Sequence, residues 1–259
     1  MEVQAAIKRL APATIPHHLA VIPDGNRRWA EEADLSVMEG HRAGLEVAKR
    51  LSRFCRRIGI HTMTVWAFST ENWRRSPDQV SALMVLYEKW LDDLLPEAIE
   101  EEVRVVHLGR VDGVPEGAEE AAAAAGFADG MPHSLITALS EIQDKTAAFE
   151  RNVVNLAINY GGADEIQRAA RAMAAKAQLS GAAAASLDIR AHLDTDGQPH
   201  PNPDIVLRTS GEMRSSGFLP IQAAYAEMIF SPKFFPDLTE TDVVEAVEEY
   251  SARIRRFGG

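Results

Sequence analysis

The chain has a single cysteine, Cys55, among its 259 residues, so it cannot form an internal disulfide and fits a reducing compartment. It has no apolar run close to the roughly 20 residues that a membrane-spanning helix needs. Its first 16 residues lack the long apolar stretch of a secretory signal. We therefore expect a soluble, cytoplasmic protein without stable membrane insertion.

The sequence also lacks an excess of basic residues. Lys and Arg number 27 against 38 Asp and Glu, which gives a net charge of −11. A protein that binds nucleic acid needs a basic face to displace counterions, so this balance argues against a nucleic-acid partner. Apolar residues make up 46% and charged residues 25% of the chain, as in an ordinary globular domain. An anion-binding site must therefore arise from a local arrangement of basic residues.

Short apolar, β-branched runs alternate along the chain with longer helical patterns. The runs predict six strands, at 18–22, 62–68, 103–108, 152–158, 204–208 and 226–230. Apolar residues that recur every three to four positions predict a helix over 39–59. Strands alternating with helices predict a single α/β domain with a mostly parallel sheet flanked by helices. Ligands of such sheets bind beyond the carboxyl ends of the strands.

Local signals mark the starts of two further helices. Ser76 followed by Pro77 predicts a helix that begins at the proline. Thr239 with Asp242 three residues later predicts a capping box at the start of the last helix. We expect the alanine runs at 121–125 and 182–185 to lie on exposed helices.

A polar cluster comes directly after the first predicted strand: Asp24-Gly25-Asn26-Arg27-Arg28-Trp29. Backbone N–H groups at a helix start and two Arg side chains suit phosphate oxygens, and an Asp among them makes sense if Mg²⁺ bridges it to the phosphate. The alternative is an ordinary turn with a surface ion pair. The segment matches neither a Walker loop nor a dinucleotide-binding glycine pattern.

Two more polar clusters follow the second and fifth predicted strands. The second cluster can hold a phosphate and relay a proton, or it can form a polar loop that caps the next helix. It contains Ser69, Glu71, Asn72, Trp73, Arg74 and Arg75. The third cluster is a further anion cradle, with Arg208, Arg214, Ser215 and Ser216. Three cradles at strand ends in an acidic protein indicate two phosphorylated substrates and a divalent cation.

Two other residues have open interpretations. His41 can contact a phosphate or cap its own helix. Glu227 can complete a metal site with Asp24, but a carboxylate on a strand is commonly a structural one held by a partner.

Seven segments resemble the cis-prenyltransferases, the undecaprenyl diphosphate synthase-like enzymes, in order and approximate spacing. They are DGNRRWA, GHRAG, AFSTENWRR, NLAINYGGADEI, LRTSGEMRSSGF, AAYAEMIF and RRFGG. The resemblance implies a catalytic domain over 17–259 behind an N-terminal extension, 1–16. It also implies a six-stranded parallel sheet, a homodimer, and a Mg²⁺-dependent enzyme that couples two prenyl diphosphates and releases diphosphate.

The resemblance assigns roles to individual positions. Asp24 matches the Asp that carries Mg²⁺ and assists departure of diphosphate, and Glu227 matches a metal-site Glu. Asn72 and Ser69 match the pair implicated in removing a proton after the carbon–carbon bond forms. Arg256 and Gly258 match a motif that reaches across the dimer interface. The substrate-binding positions are Gly25, Asn26, Arg27, Arg28, Trp29, His41, Thr70, Glu71, Trp73, Arg75, Arg208, Arg214, Ser215, Ser216, Arg256 and Gly258.

Several positions depart from the family pattern. Val37 stands where members usually carry an Arg that holds the allylic diphosphate, and Gly217 replaces an Asn. Either the site has drifted, with Arg27 compensating, or the two substrates meet in a different orientation. Some members of specialised metabolism make branched, head-to-middle products of the lavandulyl type, with dimethylallyl diphosphate as the nucleophile. We favour a short lavandulyl- or sesquilavandulyl-type product here.

Two alternatives remain open. A regular head-to-tail synthase that uses isopentenyl diphosphate would need an open apolar tunnel, lined from segments such as 77–100 and 132–149. A non-catalytic partner subunit would normally have lost the loop Asp, which is present here as Asp24.

Overall fold

The structure, a computed structural model, describes residues 2–10, 14–180 and 188–253. It contains one six-stranded sheet in the order β3-β4-β2-β1-β5-β6, in which every neighbouring pair is parallel. The strands are β1 (His18–Ile22), β2 (Thr62–Ser69), β3 (Val103–Leu108), β4 (Asn152–Tyr160), β5 (Ile205–Arg208) and β6 (Glu227–Phe230). The predicted α/β fold and all six predicted strands are confirmed.

The helices lie on both faces of the sheet. They are α1 (Glu2–Arg9), α2 (Asn26–Glu32), α3 (Val37–Ile58), α4 (Pro77–Glu100), α5 (Glu119–Ala124), α6 (His133–Thr146), α7 (Gly162–Ser180) and α8 (Glu240–Ala252). Helix α4 begins at the predicted proline, and the predicted capping box opens α8, where the Thr239 N–H donates to Asp242 at 2.8 Å. Helix α3 begins two residues before the predicted start, because Ser36 and Glu39 form a capping box that the spacing rule overlooked. No helix in the described ranges is both long and apolar enough to cross a bilayer.

Alternate strand residues pack against different layers. Leu19 and Val21 of β1 point to the face that α3 and α8 cover, with α4 and α6 over the β3–β4 side of the same face. Ala20 and Ile22 point to the opposite face and pack near Phe218. All five residues of β1 are buried, so the central strand is covered on both faces, as a parallel sheet requires.

Two segments that the sequence described only by their position or composition pack in the core. Helix α1, within the expected extension 1–16, packs on α8 and buries Ala6 and Leu10 in the same core as the sheet. The alanine run at 121–125 is not simply exposed, because Ala122 and Ala125 are buried in the core beneath α5. The run at 182–185 lies outside the described residues.

The order of the strands creates a crevice beside β1. The chain passes from β1 to β2 on one side, whereas β5 lies on the other side of β1 and leads outward to β6. Loops that leave the carboxyl ends of β1 and β5 therefore diverge, and ligands of open α/β sheets bind at such a point. Asp24 follows β1 and Arg208 ends β5, so two predicted site residues come from the two sides of this crevice.

Candidate active site

Asp24 and Arg208 form an ion pair at the crevice. Arg208 Nη2 donates to Asp24 Oδ2 at 2.8 Å, and its Nη1 donates to the Arg214 carbonyl at 2.7 Å and to Ser216 Oγ at 2.8 Å. Arg208 is buried, whereas the Asp24 side chain is 29% exposed. The buried guanidinium therefore holds the loop after β5 and fixes a carboxylate that still faces the solvent.

The backbone after β1 is held in a tight turn. The Asp24 N–H donates to Thr209 Oγ1 at 2.8 Å, and this hydroxyl donates to the Asp24 carbonyl at 2.7 Å. Gly25 has a φ of 99°, and a Cβ there would lie 2.6 Å from the Phe234 ring and 2.9 Å from Ser210 Oγ. Glycine is thus required by both conformation and space, and α2 begins at the next residue.

Two clefts open at the carboxyl edge of the sheet and meet at Asp24. The first has a volume of about 610 Å³ and the second about 410 Å³. They share Pro23, Asp24, Asn26, His41 and Arg75. Of the remaining predicted site residues, the first cleft adds Gly25, Arg27, Arg28 and Arg214, and the second adds Ser69, Glu71, Asn72, Arg208 and Ser216. The three predicted cradles therefore form one continuous site.

The clefts concentrate positive charge in an acidic protein. Five arginines border them, namely Arg27, Arg28, Arg75, Arg208 and Arg214. Arg28 Nη2 lies 3.4 Å from Asp24 Oδ1 and 3.7 Å from Glu212 Oε1, and its guanidinium stands 5.6 Å from the centre of the Phe234 ring. Forked guanidinium donors in this number suit the many oxygens of diphosphate groups.

Within this chain the structure does not bring Glu227 to Asp24. Glu227 begins β6 and pairs with Ile205 at the amino end of the sheet, about 10 Å along the strand from the level of Arg208. Its carboxylate accepts from Arg253 Nη1 at 2.5 Å, so it has the partner expected of a structural carboxylate. The second carboxylate of the first cleft is Glu212, which an acidic position within an arginine-rich loop could have indicated.

His41 and Arg75 form a pair between the clefts. Burial and the neighbouring guanidinium lower the pKa of His41 to about 4, so the imidazole is neutral near neutral pH. Arg75 Nη1 lies 3.4 Å from His41 Nε2. Because a guanidinium only donates, Nε2 is the acceptor and Nδ1 carries the proton. Burial also lowers the pKa of Arg75, so an anion bound here would stabilise its charge.

Ser69 and Asn72 lie at the end of β2 and line the second cleft. The Ser69 N–H donates to Asn72 Oδ1 at 3.0 Å and closes the short 3₁₀ turn Thr70–Arg74. This bond uses one of the two lone pairs of the Asn72 amide oxygen, and the NH₂ group remains a donor. The Ser69 hydroxyl is the group of this pair that can accept and pass on a proton.

Other predicted site residues support the clefts without lining them. Trp73 is fully buried and donates from Nε1 to Asn159 Oδ1 at 2.8 Å, and Thr70 is buried beside it in the turn. Trp29 donates from Nε1 to Asp237 Oδ1 at 2.7 Å, and Ser215 is exposed on the loop after β5. Arg256 and Gly258 lie outside the described residues. Sequence reasoning missed Thr209, Trp66, Gln79 and Glu212.

Comparison with known proteins decides the family. The family model for undecaprenyl diphosphate synthase matches residues 22–126 and 121–258. The chain belongs to this family of cis-prenyltransferases. An isoprenyl transferase from Listeria monocytogenes serotype 4b is 38% identical over 248 residues, which cover 95% of this chain and 91% of the relative. Dehydrodolichyl diphosphate synthase 3 from Arabidopsis thaliana is 36% identical over 255 residues, which cover 97% of this chain and 79% of the relative.

A solved structure is also similar over nearly the whole length. Lavandulyl diphosphate synthase from Lavandula x intermedia, in complex with dimethylallyl diphosphate, superposes with a TM-score of 0.83 at 31% identity. The match covers 95% of this chain and 99% of that one. The chain is thus a prenyltransferase by family, and prenyl diphosphate substrates fit that family.

A prenyltransferase must also hold apolar prenyl chains, and two small chambers extend below the clefts. The upper chamber shares Pro23, Asn26 and His41 with the clefts, and it shares Ala48 and Val65 with the lower chamber. Each chamber has only about 20 Å³ of space, enough for roughly one or two water molecules. Of the two tunnel walls expected from the sequence, α4 lines both chambers, whereas no residue of 132–149 borders either one.

A large aromatic ring and charged side chains form part of the wall of the lower chamber. Trp90 lines it and is buried. At its wall Glu97 pairs with Lys49 at 3.0 Å and with Arg53 at 2.6 Å. Charged groups in the wall of an apolar space are costly to displace or to cover with a long hydrocarbon chain.

The donor set fits a Mg²⁺ ion held jointly with a substrate. In the described parts of the chain no three His, Cys, Asp or Glu side chains converge as a metal site. Asp24 and Glu212 both lie within 4 Å of Arg28 Nη2, so one or two carboxylates are available. Mg²⁺ is commonly bound by one or two carboxylates together with substrate phosphates and water.

Proposed function

We propose that this protein couples two short prenyl diphosphates head to middle and forms a branched diphosphate of the lavandulyl or sesquilavandulyl type. The observation that carries the proposal is Val37. It is the first residue of α3 and lines the first cleft, at a position where the family resemblance implies a diphosphate-binding Arg. One charged hydrogen bond contributes about 1.5–3 kcal/mol. The loss of the bond from this Arg to the diphosphate therefore favours a different binding orientation of the allylic substrate.

Two further observations support short substrates. The lavandulyl diphosphate synthase that is similar over nearly the whole chain was solved with dimethylallyl diphosphate. The two chambers below the clefts are narrow, and Trp90 together with the Glu97 ion pairs borders the lower one. These two chambers are too small, among the described residues, to hold a long polyprenyl chain.

The first cleft receives the allylic diphosphate. Arg27 and Arg28 donate to its oxygens, and the neutral His41 imidazole donates from Nδ1. The C1–O bond breaks and its electron pair leaves with the diphosphate, whose charge the guanidinium groups stabilise. Asp24 and Glu212 would hold a Mg²⁺ ion, which supplies further neutralisation of charge on the leaving group when bound.

The second cleft receives the nucleophile, with its diphosphate near Arg208, Arg75 and Ser216. The alkene electron pair of a second dimethylallyl group forms the new bond to C1 of the allylic cation. The positive charge then rests on the tertiary carbon of the second substrate. A proton is lost from an adjacent methyl group, through the Ser69 hydroxyl, to a diphosphate oxygen.

A regular head-to-tail reaction with isopentenyl diphosphate is the second candidate. The isoprenyl transferase and the dehydrodolichyl diphosphate synthase, at 38% and 36% identity, favour it. Both reactions use the same two clefts and differ in which alkene carbon faces C1. A role as a non-catalytic subunit gains no support, because Asp24 is present and held by Arg208 in the cleft.

We further propose a homodimer in which Arg256 and Gly258 of one subunit complete the second cleft of the other, as the family resemblance implies. Both residues follow the end of α8 in the sequence, which is compatible with a C-terminal segment that extends to the other subunit. Sedimentation of the purified protein tests the dimer.

Val37→Arg tests the proposal most specifically. We expect the substitution to lower the KM for the allylic diphosphate about tenfold, because a charged hydrogen bond is added, and to shift products from branched to linear. Leu35→Arg is the matched control, since Leu35 is exposed, lies two residues away and lines neither cleft. Linear products from the unsubstituted enzyme, unchanged by Val37→Arg, would contradict the proposal.

A further inference from the structure

An aromatic ring forms part of the wall of the second cleft. Trp66 lies near the carboxyl end of β2 and, with Ile22 of the neighbouring β1, belongs to the sheet face opposite α3. Its side chain is half-buried and borders the same cleft as Ser69 and Asn72. The indole therefore adjoins the space where the second substrate reacts.

The surrounding contacts hold this ring in one orientation. Trp66 Nε1 donates to the Tyr160 carbonyl at 3.1 Å. The buried Phe218 ring stacks on the indole, with centroids 4.8 Å apart and planes inclined by 8°. The Tyr160 ring meets it edge-on at 6.3 Å. A polar anchor on one edge and a stacked ring on one face leave little freedom for the indole to turn away from the cleft.

The charged side chains around the second cleft provide little stabilisation for a carbocation, which an aromatic face can supply. Arg75 and Arg208 border it and suit a diphosphate, but they disfavour a positive charge on carbon. Of the two carboxylates that line this cleft, Asp24 is already paired with Arg208, and Glu71 is exposed to solvent. A carboxylate free to approach a carbocation would also capture it. An indole face attracts a cation through its quadrupole without forming a bond to it.

We propose that Trp66 is a catalytic residue whose indole stabilises the tertiary carbocation formed on the second substrate. When the alkene pair closes the new carbon–carbon bond, the tertiary carbon is left positive, and it stays so until a proton passes to a diphosphate oxygen. The indole lowers the energy of this cation and of the transition states on either side. The inference rests on the proposed coupling of two prenyl diphosphates but not on its regiochemistry, since both regiochemistries place a tertiary cation on the second substrate.

Site-specific replacement of Trp66 by tryptophans with an increasing number of ring fluorines is the decisive experiment. Fluorine weakens the negative face of the ring and leaves its size and N–H nearly unchanged, so the protein keeps its fold. We expect kcat to fall stepwise along the series, by about tenfold in total, with KM for both substrates unchanged. A kcat that is constant along the series would overturn the proposal.

Two measurements separate this inference from the proposed function. Binding of inorganic diphosphate should be equal along the series, which shows that the clefts remain intact. Product analysis of each variant reports regiochemistry independently: a linear product with a stepwise kcat would refute head-to-middle coupling and retain the role of Trp66. Trp66→Phe should lose less activity than Trp66→Leu, and equal losses would count against the proposal.

Discussion

The Asp24–Arg208 pair allows a sharp test of the metal site. Asp24→Asn removes the negative charge but keeps the shape of the side chain and an oxygen that can accept from Arg208 Nη2. Because the Asp24 side chain is 29% exposed, solvent screens part of the loss, and we expect the free energy of unfolding to fall by only about 1 kcal/mol. The rate of coupling should fall about 10²–10³-fold, because charge on the departing diphosphate is no longer offset.

Calorimetric titration of inorganic diphosphate, with and without Mg²⁺, is the discriminating assay. Without Mg²⁺, Asp24→Asn should bind diphosphate more tightly than the unsubstituted protein, since one repelling carboxylate is gone from a cleft that keeps its arginines. With Mg²⁺ the order should reverse, because the metal loses a ligand. Asp34→Asn is the matched control: Asp34 is exposed, has a φ of 55° that Asn tolerates equally, and lines neither cleft. Equal gains in affinity from Mg²⁺ in all three proteins would refute the assignment of the metal to Asp24.

Three further outcomes are expected. Trp90→Leu should enlarge the lower chamber and raise kcat/KM for farnesyl relative to dimethylallyl diphosphate about tenfold, as measured in competition assays. Gly44→Ala should impair coupling at least tenfold, measured at saturating substrate, because its Cβ would lie 2.6 Å from Asn26 Oδ1. Burial lowers the pKa of His18 to about 4 in the folded protein, so below pH 6.5 the unfolded chain binds more protons than the folded one. The free energy of unfolding should therefore fall by about 3 kcal/mol between pH 6.5 and pH 4, which urea titrations can measure.

Each of these outcomes has a clear contrary result. Unchanged substrate preference in Trp90→Leu would show that the chamber does not limit chain length. Glu46→Ala, on the exposed side of α3, is the control for Gly44→Ala, and equal activity losses would point to a general effect on the helix. An NMR titration in which His18 protonates near pH 6.5 would contradict its burial against Thr64 Oγ1 and the His200 carbonyl.

The strands and their carboxyl-end loops could be predicted from the sequence, because both depend on local signals. Buried strands of a parallel sheet have sequences that are short apolar runs, and the polar clusters begin where those runs end. The order of the strands could not be predicted in this way. It depends on pairing between strands far apart in the sequence, and the pairing of β1 with β5 brings Asp24 and Arg208, 184 positions apart, close enough to form an ion pair.

Side chains whose role depends on three-dimensional position could not be placed from the sequence alone. Glu227 stands in a motif that matches the family, yet it lies at the amino end of β6 beside Arg253. Glu212 stands in the arginine-rich loop and lines the first cleft, but loop sequence alone does not show which side chains turn inward. Ala122 is buried because α5 packs against its neighbours in the core, and alanine fits exposed and buried positions equally well.

The products formed from dimethylallyl diphosphate alone test the central claim most directly. Purified enzyme, Mg²⁺ and dimethylallyl diphosphate would be incubated with and without isopentenyl diphosphate, and the dephosphorylated alcohols identified by mass spectrometry and NMR. The head-to-middle account predicts a branched alcohol in the absence of isopentenyl diphosphate. A linear Z-alcohol that appears only when isopentenyl diphosphate is present would contradict it.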